Sequence, residues 1–272
     1  MPDPIRVVFT NDAFDAAFRY AENLCSDPSH AINEVVILVP AMANIKVSTT
    51  IGAFLGATRV KALEKGERTT VVGKPARLMT KRTLTYFSPG TLVICPYASK
   101  DIMDKVDAAG QVAAVIALPW GEDAVAEWIK SWSPMVDGVR QTQRAKLIDD
   151  PVVVKAMESL TRRVNPSNPL SHPNDKEHAV RTLKILRRKN HSLDADDIRA
   201  WAVAHGWKPD AADELAVLAI KIAGLKTKPT LDRLEAAATT YANWVEAAKK
   251  ITVNRIESAW PDLEVAPYSA AP

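Results

Sequence analysis

Residues 91–132 read TLVICPYASKDIMDKVDAAGQVAAVIALPWGEDAVAEWIKSW, and this stretch decides the fold class. Thr91–Cys95 is a short apolar run rich in β-branched residues. Ser99 then opens a segment whose apolar positions Ile102, Met103 and Val106 recur at helical spacing up to Gly110. The scheme repeats at once, with an apolar run over Val112–Leu118 and a helical pattern from Gly121 to Trp132, stopped before Pro134. Two strand–helix units in succession predict parallel strands buried on both faces, because a parallel pair needs a crossover of about a dozen residues.

Working back from this stretch finds the same alternation. Ile5–Thr10 reads as a strand, and Phe14, Ala17, Phe18, Ala21 and Leu24 as one helix face. Glu34–Pro40 (EVVILVP) is a continuous apolar run, followed by a long helical pattern through Ile51, Phe54, Leu55 and Leu63 that Asn44 could cap. Thr69–Val72 reads as a further strand closed by Gly73-Lys74-Pro75. Pro75–Phe87 fits either a crossover helix or a hairpin arm, and parallel connectivity favours the helix. The expectation is an α/β fold: a Rossmann-like parallel sheet of about five strands over residues 1–148. Gly52 and Gly56 form a GxxxG, read here as close packing of a helix on the sheet.

Beyond residue 148 only helical periodicity remains. Pro151–Arg163 is a short helix, and Asn165–Pro173 is a proline-punctuated linker, giving a helix-plus-linker segment over 149–173. An all-α domain follows over 174–260. Asn174 and Glu177 form a capping-box pattern, Asp194 caps a second helix ending at Gly206, Pro209 opens a third, and a fourth runs from about Thr230 to Ile256. Residues 261–272 read as a loose tail.

Composition bounds the function. In 272 residues, 47% are hydrophobic and 25% charged, ordinary values for a globular protein. No apolar run reaches the roughly 18 residues needed to span a bilayer, so no membrane association is expected. Cys25 and Cys95 show no CxxC spacing, and the start of the chain lacks a secretory pattern; a reducing cytoplasm is the expected location. The net charge of +3 is unevenly spread. Residues 140–190 carry 12 basic and 5 acidic side chains, and residues 59–82 carry eight basic against Glu64 and Glu67.

In a doubly wound sheet, ligands bind beyond the carboxyl ends of the strands. The loops read as leaving those ends offer Asn11 and Asp12, then Asn44, Lys46, Ser48 and Thr49, then Lys74 and Arg77, then Tyr97, Ser99 and Lys100. Cations placed near helix N-termini suit an anion. The ordinary structural account of the same residues is that small polar side chains cap helices and loop lysines are solvated. GxGxxG, GxxxxGK[ST], GxSxG and HExxH are all missing, so no cofactor is expected and catalysis has only Asp12 as a candidate acid or base. Four of the five histidines, His172, His178, His191 and His205, lie beyond residue 170 without i,i+4 spacing, so no metal site is expected.

Lys81 and Arg82, and the basic helical face with Arg181, Lys184, Arg187 and Arg188, are the candidate nucleic-acid contacts. The helical region resembles a helix-turn-helix in outline only, since its third helix carries Asp210, Asp213 and Glu214 where a major-groove reader needs donors. Three non-equivalent outcomes follow, the first two being a non-enzymatic protein that binds nucleic acid or another polyanion, and an enzyme acting on a nucleotide or phosphorylated small molecule. A protein-interaction module is the third.

Overall fold

A computed structural model describes residues 4–10, 13–110, 112–139 and 146–259 (backbone only at 122 and 251–259). The α/β part contains β1 (Ile5–Val8), α1 (Phe14–Ser26), β2 (Glu34–Val39), α2 (Thr50–Leu55), α3 (Ala57–Glu64), β3 (Thr69–Val71), β4 (Lys74–Thr80), β5 (Thr91–Ala98), α4 (Lys100–Ala109), β6 (Val112–Pro119), α5 (Ala126–Trp132) and β7 (Met135–Val136). The helical part contains α6 (Pro151–Thr161), α7 (Pro173–Arg188), α8 (Ala195–Ala204), α9 (Pro209–Ala223) and α10 (Leu234–Ala259). The fold is α/β, with a mostly parallel sheet followed by helices.

The seven strands lie in the order β3-β4-β2-β5-β6-β1-β7, all parallel except β3, which runs antiparallel to β4. Alternate strand residues point to opposite faces, so the apolar runs feed two cores. Val35, Ile37, Val39, Leu92, Ile94 and Ile116 pack with Phe14, Phe18 and Leu24 of α1 and Val60 and Leu63 of α3. Val36, Leu38, Val93, Cys95, Val115 and Ala117 pack with Ile102, Met103 and Val106 of α4 and Trp128 of α5. Connections that step one way along the sheet therefore cover one face, and those that step back cover the other, as right-handed crossovers require. Each large buried side chain contributes about 1.5–3 kcal/mol, which fixes these helices against the sheet.

The expected crossover helix after Thr69–Val72 is not formed. Val72 and Gly73, at φ 47° and 76°, instead make a two-residue turn, and β4 returns beside β2. This turn geometry needs positive φ twice, which Gly73 accommodates and Val72 tolerates at a cost. The ten residues from 81 to 90 then carry the chain to β5 without a helix, burying Leu84 and Phe87. Likewise Thr49, not Asn44, caps the helix after β2, its hydroxyl accepting from the Gly52 amide (3.1 Å). The GxxxG is not a packing pair on the sheet: a Cβ at Gly52 would lie 1.8 Å from the Lys46 carbonyl oxygen, whereas Gly56, at φ 83°, has open space about it and separates α2 from α3.

The chain divides into two compact units, Met1–Leu147 with Ala200–Asp210, and Ile148–Arg199 with Ala211–Pro272. In the helical unit, Asp150 caps α6 by accepting from the Val152 and Val153 amides, while α7 is capped by His172 rather than Asn174, because Pro173 takes its first position. The expected tail over 261–272 lies outside the described residues.

Candidate functional site

The parallel strands place their exits along one edge of the sheet. Between β2 and β5, and again between β6 and β1, neighbouring strands send those exits to opposite faces, which is where a crevice opens in this class of sheet. Five connections reach this carboxyl edge, and each contributes differently.

After β2, a single helical turn over Met42–Ile45 leads to exposed Lys46 and Ser48. Asn44 and Thr49 are committed to local structure: Asn44 Oδ1 accepts from the Ala41 amide (3.0 Å), and the Thr49 hydroxyl lies 2.6 Å from the Lys46 carbonyl. After β4, the Lys81 amide donates to the Val39 carbonyl (3.2 Å), and its ammonium pairs with Asp101. Those contacts stretch Lys81 past the end of β2 to the first turn of α4, and they hold the Asp101 carboxyl below its ordinary range. The hydrogen bond from Lys81 is the main cause. Arg82 beside it is exposed. After β5, Ser99 begins α4 without a side-chain cap bond, and Lys100 pairs with Glu127 (2.6 Å) and Asp104 (3.2 Å). Among the described residues, Lys46 and Arg82 are the rim cations without a carboxylate partner.

After β6, Trp120 stands 77% exposed, its ring centroid 5.0 Å from that of Tyr97. Tyr97 is the extra residue of a β-bulge: the β5–β6 register shifts between Pro96 and Ala98, and Tyr97 adopts φ 60°. Its ring also meets Phe14 at the start of α1 edge-on, at 6.3 Å. A left-handed tyrosine costs about 1–2 kcal/mol, and a bulge re-aims the side chain it carries. After β1, Thr10 donates from its hydroxyl to Asp137 Oδ2 (2.6 Å) and from its amide to Asp137 Oδ1 (2.8 Å). Asn11 and Asp12 lie outside the described residues.

Lys74 and Arg77 do not join this rim. Because the hairpin reverses the chain, Lys74 begins β4 and sits at the amino edge, and Arg77 faces Glu34 at 3.2 Å. Glu34 is itself half-buried. Burial drives its pKa upward, but hydrogen bonds from Thr91 (2.7 Å) and Arg77 outweigh that and hold it below the ordinary carboxylate range. The pair is a structural link between β2, β4 and β5.

The basic face of α7 is also partly spent. Arg187 donates to the carbonyls of Ala223 (3.2 Å) and Leu225 (3.4 Å), and Arg188 to that of Pro229 (3.1 Å). Both guanidinium groups thus satisfy carbonyls at and beyond the end of α9, where positive charge also complements the helix dipole. Arg181 and Lys184 are half-buried on the same helix.

Three further clusters fall elsewhere. Asp107 is half-buried, its carboxylate accepting from the indoles of Trp128 (3.3 Å) and Trp132 (2.9 Å), with the Arg6 guanidinium 3.5 Å from the centre of a Trp132 ring. Desolvation pushes the Asp107 carboxyl up to about 6, against the indole bonds and the Arg6 charge. His191 joins Asp150 (2.5 Å) to the Tyr241 hydroxyl (3.0 Å), tying α6 to α10. A groove of about 360 Å³ lies among α1, the α2–α3 break and the β3–β4 turn; Phe18 and Phe54 line it with Asp15, Glu22, Arg19 and Arg59. Arg59 also donates to the Thr70 carbonyl (3.1 Å), covering a backbone acceptor on edge strand β3. Among the described residues no group of three His, Cys, Asp or Glu could hold a metal ion, and no helix is long and apolar enough to cross a membrane.

Sequence reasoning overlooked Trp120 and the role of Tyr97. The available signal was Pro96, because a proline inside a central strand marks a bulge.

Residues 149–245 match a family described as a domain of unknown function (DUF1889). No curated protein and no solved structure matches this chain. The match covers part of the helical region and leaves the carboxyl edge of the sheet outside it.

Proposed function

We propose that this is a non-enzymatic binding protein that engages nucleic acid, or a polyanion of the same chemistry, along the carboxyl edge of its sheet. One observation carries the reading: three separate connections, after β2, β4 and β5, deliver Lys46, Lys81, Arg82 and Lys100 to that one edge. The carboxylates on Lys81 and Lys100 are no bar to it. Asp101 is 66% and Glu127 50% exposed, and such surface pairs are worth about 0–1 kcal/mol, so a phosphate can replace them at small cost, while Asp104, 24% exposed, stays beside Lys100 and reduces what that lysine adds. Arg181 and Lys184 belong to the helical unit and are candidate phosphate contacts of that unit by itself, while Arg187 and Arg188 are occupied at the end of α9. Cys25 and Cys95, buried and free, fit a reducing compartment, and the reading places the protein in the cytoplasm.

The ionic component of this binding is small. With Lys46 and Arg82 alone contacting phosphate, affinity for duplex falls about tenfold between 50 and 200 mM salt; with Lys81 and Lys100 recruited, it falls about a hundredfold. Fluorescence anisotropy with labelled DNA and RNA at both salt concentrations measures this, and Lys46→Ala/Arg82→Ala weakens binding at low salt. No binding of either nucleic acid at 50 mM salt would falsify the reading.

A further inference from the structure

Resting on that reading, we infer that the nucleic acid bound at this edge is single-stranded, with one unpaired base stacked on Trp120. The ring is exposed and does not lie loose on the surface. Tyr97 stands 5.0 Å behind it at 39°, and Phe14 closes on Tyr97 from the start of α1. The backing residue is held in a left-handed bulge that an L side chain rarely adopts, so the fold tolerates strain to keep an aromatic ring at this point. Next to Trp120, Gly121 has open space where a side chain would project, with no atom within 4 Å. Nothing among the described residues covers the outer face of the indole beyond its Tyr97 contact.

The balance of forces selects the strand form. Every base has a flat face, and stacking on an aromatic side chain is tolerant of sequence, but a paired base within a duplex has both faces occupied by its neighbours. A duplex would depend on dense phosphate contacts. This rim offers two cations free of carboxylates, and Asp101, Asp104 and Glu127 stand among the others. A single strand needs fewer ionic contacts and can splay a base outward, with its backbone passing Lys46 and Arg82.

The test uses the full chain at 50 mM salt with three labelled probes: a 20-residue oligothymidine, a 20-residue oligouridine and a 20-base-pair duplex. Either single strand binds at least tenfold tighter than the duplex. Trp120→Ala weakens single-strand binding about tenfold, Trp120→Phe retains most of it, and both variants stay folded, Trp120→Ala with a modestly lower denaturant midpoint from the lost Tyr97 contact and Trp120→Phe with one close to wild type. Oligothymidine and oligouridine distinguish DNA from RNA, and Trp120-dependent binding of either upholds the inference. Equal affinity for duplex, or a Trp120→Ala variant that binds single strands like wild type, overturns it. If Lys46→Ala/Arg82→Ala weakens binding while Trp120→Ala does not, the stacking inference fails and nucleic-acid binding at the edge survives. If no probe binds, both fall together.

Discussion

Asp107 makes a contribution to stability that rises as the solution is made acidic, opposite in sign to that of the carboxylates Glu34 and Asp101, whose hydrogen bonds hold them below the ordinary range. Its carboxyl titrates at about 6 in the fold against an ordinary value of 3.8, because burial against Trp128 and Trp132 penalises the charged form. The folded state therefore holds the proton more tightly than the unfolded chain. Linkage then makes ionised Asp107 cost about 3 kcal/mol at pH well above 6, a cost that disappears as pH falls through 6 toward 4. Between pH 7.5 and pH 5.0 the recovery amounts to about 1.4 kcal/mol, from the two titration curves. Urea unfolding at both pH values, in wild type and Asp107→Asn, isolates it, since every other carboxylate cancels in the difference. The asparagine cannot ionise, so the increment of about 1.4 kcal/mol vanishes. Its single carbonyl also accepts from only one of the two indoles, which offsets the relief of burying a charge and leaves the variant near wild type at pH 7.5. An Asp107→Asn protein with the same pH increment as wild type, or a wild type less stable at pH 5.0 once the difference is taken, would refute the argument.

Two other perturbations follow from local geometry. Val72→Asn and Val72→Ala both give up the apolar contact that half-buried Val72 makes with the sheet core, but asparagine suits the positive φ of the β3–β4 turn, so Val72→Asn is about 1 kcal/mol more stable than Val72→Ala, read as a higher urea midpoint; equal midpoints would show that the positive φ costs nothing there. Asp150→Ala removes the α6 cap together with the partner of His191 and costs the helical unit about 1–2 kcal/mol, whereas Asp150→Asn keeps an acceptor and loses less. Helical circular dichroism during unfolding separates the two variants, and equal losses would rule out capping as the cause.

The parts of the fold that could be read in advance share one property: their signal is local and repeated. EVVILVP and TLVIC declare buried strands because consecutive apolar residues leave neither face for water, and the spacing of Phe14, Ala17, Phe18 and Ala21 declares a helix because its period is that of the helix itself. Lys74 and Arg77 were misplaced for the complementary reason. Whether the chain after Val72 turns back or crosses over depends on which strand accepts β4 as a neighbour, and that is a long-range pairing with β2. Once β4 lies parallel to β2, Lys74 falls at the amino edge. Arg187 and Arg188 show the same effect: on α7 alone they form a basic face, and only the arrival of the chain beyond α9 gives their donors carbonyls to fill.

Sequence by itself thus determined an α/β fold with a largely parallel sheet followed by helices, the strand and helix inventory of the best-patterned segments, and the presence of surplus positive charge. Tertiary structure alone decided which edge each cation reaches, which of them keep a carboxylate, and that Tyr97 and Trp120, 23 residues apart, stand ring against ring. Periodicity is written in neighbouring residues and survives any packing. Strand order, a single bulge at the end of β5 and the partner of a charged side chain are settled only when distant segments compete for the same space.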